Sequence, residues 1–201
     1  MAGTRSAADG VARTGRERIL EAAYPLFSRS GIRAVGVDKI VAAAGVAKMT
    51  LYRNFPSKDE LALAFLAMRE ERWTRAWLWE EVRTRADAPG NRLLAIFDVF
   101  GEWFETEDFV GCSFINVLLE QDDPEDPVRA ATVTHLANIR ELIQELARDA
   151  GIEDPDAFSR QWHILMKGAI VAAGEGDRLA ARRARELGTL LLQRLAVPVS
   201  G

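Results

Sequence analysis

The chain is poor in the residue types most used for nucleophilic and zinc chemistry: one cysteine, Cys112, and two histidines, His135 and His163. A lone cysteine closes no internal disulfide, so the expected compartment is the reducing cytosol. No HExxH pair, Walker loop or GxGxxG turn occurs, and the acidic run 122–126 lacks the alternating ligands and the Gly of a calcium loop. No apolar run reaches the ~18 residues of a membrane span, and Met1–Gly10 carries no hydrophobic signal segment. Period-2 alternation is never sustained, which leaves no strand to build a sheet. An enzyme would have to rest on Cys112 or His163, and a cysteine between Gly111 and Ser113 is more often a small packed side chain. We therefore expect no catalytic residue, no metal and no cofactor.

What is present is helical grammar and an uneven charge. The 201 residues carry a net charge of −4, but residues 1–60 hold ten Lys/Arg against six Asp/Glu, and the remainder sixteen against twenty-four. A basic head on an acidic body suits a polyanion partner at one end. Residues 1–14 lack apolar periodicity and read as a flexible arm. Ile19, Ala22, Ala23, Leu26 and Phe27 then follow helical spacing to a stop at Gly31. Pro25 disagrees, since inside a helix it should cost ~3 kcal/mol or kink it. Further helices are expected at about 37–44, 47–54, 57–83, 91–105, 111–121, 128–149, 156–174 and 178–196. Ser57 with Glu60 is a capping box for the fourth. The chain reads as all-α, about nine helices, with a head over 15–60, a connecting helix from 57, and a helical body over 61–201.

The segment 31–61 is the informative one. Two short helices joined by Ala44-Gly45-Val46 fit a helix-turn-helix, with Leu51 and Phe55 closing the inner face of the second. Lys48, Met49, Thr50, Tyr52 and Arg53 then face outward. They supply cations for phosphate and guanine, hydroxyls for phosphate oxygens, and a thioether for a thymine methyl. A solvated surface helix would read the same by spacing alone. The words Gly31-Ile-Arg-Ala-Val-Gly-Val-Asp-Lys-Ile40 and Ala44-Gly-Val-Ala-Lys-Met-Thr-Leu-Tyr-Arg-Asn-Phe-Pro-Ser-Lys-Asp-Glu-Leu61 resemble the TetR family of bacterial transcriptional regulators, without a gap over about thirty residues. The resemblance in words covers about 15–75 and is architectural beyond.

That resemblance implies three DNA-binding N-terminal helices with the second motif helix in the major groove. By position, Thr50, Tyr52 and Lys58 match residues that touch DNA backbone, while Lys48, Met49 and Arg53 sit where base contacts vary between members. Lys58 also has support of its own, at a helix N-terminus where dipole and ammonium both attract phosphate. The family's Thr-Thr before its second helix is Val35-Gly36 here, its Ser opening the third is Ala47, its Gly is Met49 and its His is Asn54. Ala47 forfeits an N-cap worth ~1 kcal/mol. Asn54 has the edge to read adenine, and equally to pack or face water.

The resemblance also implies a ligand cavity in the body, which holds all five tryptophans. Candidate wall residues are Trp73, Trp77, Phe100, Trp103, Phe104, Phe114, Trp162, His163 and Met166. Cys112, Asn116 and His135 are further candidate polar contacts. Core packing is the competing reading for each. The last two helices, with Gly168, Ala169, Ala172 and Ala173, suit the family's four-helix dimer interface. The expected function is a ligand-responsive homodimeric regulator, a repressor released from a palindromic operator on double-stranded DNA by a small apolar or aromatic effector. The alternative is a helical small-molecule-binding protein whose head binds DNA only non-specifically, consistent with the missing caps.

Overall fold

The computed structural model describes residues 13–199, so most of the arm expected over 1–14 lies outside the described residues. Thr14 opens α1 (Gly15–Ala34) with a capping box. Its hydroxyl accepts the Glu17 amide at 3.2 Å, and the Glu17 carboxylate accepts the Thr14 amide at 2.7 Å. Ile19, Ala23 and Phe27 are buried, as the spacing requires. Pro25 does not break α1: the proline stands on the exposed side, where water can take up the carbonyl bond that it forfeits. The helix is interrupted instead at Gly31, whose φ of 76° and ψ of 167° only glycine adopts without strain, and resumes to Ala34.

Eight more helices follow among the described residues, and none of these residues is in a strand. They are α2 (Val37–Ala44), α3 (Lys48–Asn54), and α4, a continuous rod. The rod is α-helical over Lys58–Arg69, π-helical over Glu70–Trp79 and α-helical again over Glu80–Arg85. Then come α5 (Pro89–Phe104), α6 (Ser113–Glu120), α7 (Pro127–Asp149), α8 (Pro155–Gly174) and α9 (Ala180–Arg194). Ser57 caps α4 by accepting the Glu60 amide at 3.1 Å. Asp126 and Asp154 cap α7 and α8 in the same way.

In the head, α1 packs on α2, α3 and the start of α4. Tyr24 and Phe27 meet Phe65 edge-on at 5.5 and 5.4 Å. In the body, α7 lies against α8, and α9 against α5 and α8, around a core that includes Phe97, Phe100, Phe114 and Trp162. Several polar ties join head to body, among them Arg33 with Asp122 and Arg69 with the Tyr24 hydroxyl. The Glu120 carboxylate, at the end of α6, accepts the amides of Ile32 and Arg33 at 2.9 and 3.2 Å. It thereby caps the last turn of α1 that the Gly31 interruption leaves open. Glu21 of α1 pairs with Arg72 of the π segment.

The π segment carries a buried charge. Glu70 accepts from Arg75 at 2.9 Å, from Asn138 at 3.0 Å and from His135, whose ring stacks on Phe114 at 5.2 Å. Burial resists the charge, but the hydrogen bonds from His135, Asn138 and Arg75 prevail and hold the carboxyl below its usual range. This network fixes α4 to α7.

Candidate functional site

The turn between α2 and α3 is built by Gly45 in the left-handed conformation (φ 61°, ψ 40°). The Gly45 and Val46 amides return to the carbonyls of Ala42 and Val41. Arg18 of α1 then clamps the turn, donating to the carbonyls of Ala44 and Gly45 at 2.8 and 2.7 Å. Sequence reading missed Arg18, because its partners are backbone atoms 26 and 27 residues away. Neither α2, behind Gly36, nor α3, behind Ala47, has a side-chain cap.

Leu51 and Phe55 close the inner face of α3, fully buried. Met49 is 65% exposed and Tyr52 42%, with Arg53 beside them in water. Lys48 is exposed and donates to Asp38 of α2 at 2.8 Å; that hydrogen bond raises its pKa further. Asn54 donates to the Thr50 carbonyl at 2.8 Å, so one amide hydrogen is held within its own helix. Lys58 is half-buried and donates to the Arg33 carbonyl at 3.3 Å. The outward surface of α3 is therefore cationic and hydroxylic around one large apolar side chain. That is the chemistry of groove recognition, in which cations and hydroxyls hold phosphates and a methyl or thioether meets thymine.

The second feature is a cleft of about 480 Å³ between head and body. Its walls are α1 (Tyr24, Pro25, Ser28, Arg29), the α4 rod (Arg69, Trp73, Trp77), Trp103 of α5, and the connection to α6 (Thr106, Asp108, Val110, Gly111). Trp73 meets Trp103 at 4.8 Å and Trp77 at 5.4 Å. The sequence-expected wall thus divides. Trp73, Trp77 and Trp103 line the cleft, while Phe100, Phe114, Trp162, Met166 and His163 are core residues at most 4% exposed. Phe104 borders a separate recess with Glu105, Asp177 and Arg178. The contribution of α1 went unread because apolar spacing marks only the buried side of a helix. Pro25, the one anomaly in its pattern, lines the cleft.

Of the other candidate polar groups, Cys112 and Asn116 line a second recess of about 490 Å³ with Ile115, Leu119 and Ile170, and His163 lies in the core. His163 is buried, its Nδ1 has no hydrogen-bond partner, and burial beside Lys167 and Arg140 lowers its pKa to about 3. Burial pushes the Cys112 thiol up, opposite to the shift a nucleophilic thiolate requires. Asn116 donates to the Val110 carbonyl at 3.3 Å. No group of three or more metal-ligating side chains occurs among the described residues, and none of their helices is long and apolar enough to cross a membrane.

Residues 19–65 match the model of the bacterial regulatory proteins of the tetR family, and residues 89–187 match the tetracyclin repressor-like C-terminal domain. The transcriptional activator FasR of Mycolicibacterium smegmatis is 32% identical over 143 residues, 69% of this chain and 61% of FasR. The transcriptional regulator AcuR of Cereibacter sphaeroides is 28% identical over 165 residues, 78% of this chain and 75% of AcuR. FasR and most of the other relatives are thus matched over less than two thirds of their own length. Among solved structures, a TetR-family transcriptional regulator from Streptomyces coelicolor superposes with a TM-score of 0.81 at 31% identity, covering 90% of this chain and 96% of the other. A helix-turn-helix with an outward cationic face, two matched family domains and a shared fold lead to one conclusion: the chain belongs to the TetR family of bacterial regulatory proteins.

Proposed function

We propose that the protein is a homodimeric, cytoplasmic repressor that holds a palindromic operator and leaves it when a small apolar or aromatic effector binds. The observation that carries this reading is the surface of α3. Met49, Tyr52 and Arg53 stand in water on a helix whose inner face is closed by Leu51 and Phe55. In this reading Thr50, Tyr52 and Lys58 hold phosphates, and Lys48, Met49, Arg53 and Asn54 meet base edges or their neighbours. The likeness of residues 89–187 to a repressor-type domain favours repression over activation.

A second copy supplies the other half of the palindrome. On α8 and α9, Ile164 is 68% exposed, Leu187 53% and Leu190 61%, around a shallow groove floored by Gly168, Ala169 and Ala172. Small residues let helices approach closely, and two such pairs related by a two-fold axis close a four-helix bundle. The effector enters the aromatic cleft. Because α1 is one wall of that cleft, an occupant presses on the head directly, and the Glu120 cap and the Glu21–Arg72 pair carry the displacement. An effector that prefers heads at the wrong spacing lowers operator affinity by the ratio of its affinities for the two states.

Selection of fragmented genomic DNA on the purified protein at near-physiological salt tests this reading. A recovered palindrome with half-sites about one helical turn apart is the expected result. A folded dimer that enriches no motif would overturn it in favour of a small-molecule-binding protein with sequence-blind DNA affinity.

A further inference from the structure

We infer that the cleft between head and body takes a flat organic anion, an arene carboxylate being the simplest case, with its ring against the tryptophan wall and its carboxylate toward Arg69. The inference rests on the reading of this cleft as the effector site and names the chemistry of its occupant. The size is suitable: about 480 Å³ lies within the range of small-molecule sites. The walls are aromatic: Trp73 packs on Trp103 and Trp77, with ring centroids 4.8 and 5.4 Å apart, and Trp77, half-buried, is the most open ring of the three. A planar partner matches such a ring.

The unsatisfied groups decide the charge. Arg69 is half-buried, its guanidinium 5.1 Å over the Trp73 ring, and among the described residues it donates to the Tyr24 hydroxyl at 3.0 Å. The neighbouring Arg72 is paired with Glu21. Among the described residues neither Arg69 nor Arg29, both on the cleft wall, is paired with a carboxylate, although Asp108 is on the opposite rim. A guanidinium has five donors and no acceptor, so most of its capacity is open. Trp73 is 9% exposed and its indole N–H, a donor only, has no partner; the Ser28 hydroxyl, also on the wall, is equally unmatched. Those two atoms are closed off from the surface, so the donors open to the cleft are the guanidiniums of Arg69 and Arg29, and a carboxylate is the complement of their charge. A cation would meet the like charge of Arg69, whose guanidinium already stands over the Trp73 ring. It would bring donors to donors, so the aromatic-cage chemistry of ammonium ligands is disfavoured here.

Three probes with one ring system separate these chemistries: 2-naphthoate, 2-naphthalenemethanol and 2-naphthylmethylammonium, titrated calorimetrically into the full-length protein. We expect naphthoate to bind about tenfold or more tighter than the alcohol, as one charge-assisted bidentate contact allows, and the ammonium to bind more weakly than either. Arg69→Gln should bring naphthoate down to the level of the alcohol, while Arg69→Lys retains part of the preference. Thermal melts of both variants report that the fold is intact. An alcohol or ammonium that equals naphthoate, no saturable naphthoate binding, or a preference that survives Arg69→Gln would overturn the inference. Release of operator DNA is measured alongside. Naphthoate that binds through Arg69 yet leaves DNA affinity unchanged would support the ligand class and refute the effector reading.

Discussion

Tyr52 and Lys58 offer a nucleic acid groups that any phosphate satisfies, whereas Arg53 offers a fork that a guanine edge satisfies best. Their substitutions should therefore differ in kind. Tyr52→Phe combined with Lys58→Ala is expected to weaken binding on every sequence and to lower the salt slope by about two, one for the Lys58 of each protomer. Arg53→Ala is expected to cost about 1–3 kcal/mol per half-site and to relax its sequence preference. Anisotropy titrations on operator and scrambled duplexes across a salt series read both, and an unchanged slope in the double variant would refute the backbone roles. His163 makes a different demand. Its pKa in the fold is about 3 because the ring is buried, near Lys167 and Arg140. In the unfolded chain it titrates near 6.5. Between those values the unfolded chain takes up a proton that the folded protein refuses. Stability thus falls as pH drops, by at most ~1.4 kcal/mol per pH unit. His163→Gln should lose less stability than the parent on acidification from pH 6.5, measured by urea unfolding at a series of pH values. Parallel pH curves would show that the ring is solvated. Residue spacing foretold the burial of Leu51 and Phe55, but the partners of Lys48 and Arg18 depend on how three helices meet, which no local window contains.

At the scale of elements, α1 and α4 each depart from a plain helix, and each departure serves the join between head and body. The Gly31 interruption frees two amides that Glu120 takes up. A Cβ at Gly31 would lie 1.5 Å from the Glu120 carboxylate oxygen. Gly31→Ala is therefore expected to destabilise by at least ~1–3 kcal/mol from backbone strain alone, and it would also push the Glu120 carboxylate off the two amides. A melting temperature equal to the parent's would show that the join is not held this way. Most helix boundaries were legible from apolar period, Gly and Pro: α2 falls on 37–44 as expected, and α7 and α8 begin within a residue of expectation. The π segment was not legible. A change of helical pitch leaves composition untouched, and here it accompanies the Glu70 network, whose partners Asn138 and His135 are on α7.

At the scale of the whole molecule, the apolar faces of α8 and α9 require a cover. Ile164→Glu combined with Leu187→Glu should convert a dimer into monomers in sedimentation, and should weaken operator binding far more than half-site binding. A dimer that persists would place the interface elsewhere. The nine helices of the described residues were readable from apolar period, Gly and Pro, but the position of the cleft was not, since it forms where an N-terminal helix crosses tryptophans some fifty to eighty residues further on. One consequence follows for the interchange of parts. Heads and bodies of such regulators look separable, and a chimera could be spliced at Ser57. Here the graft would carry Tyr24, Ser28 and Arg29 away with the head, so a borrowed head would bring a foreign wall to the cleft. The exchange would alter what the body senses as well as what the head reads, and the two specificities would have to be inherited together.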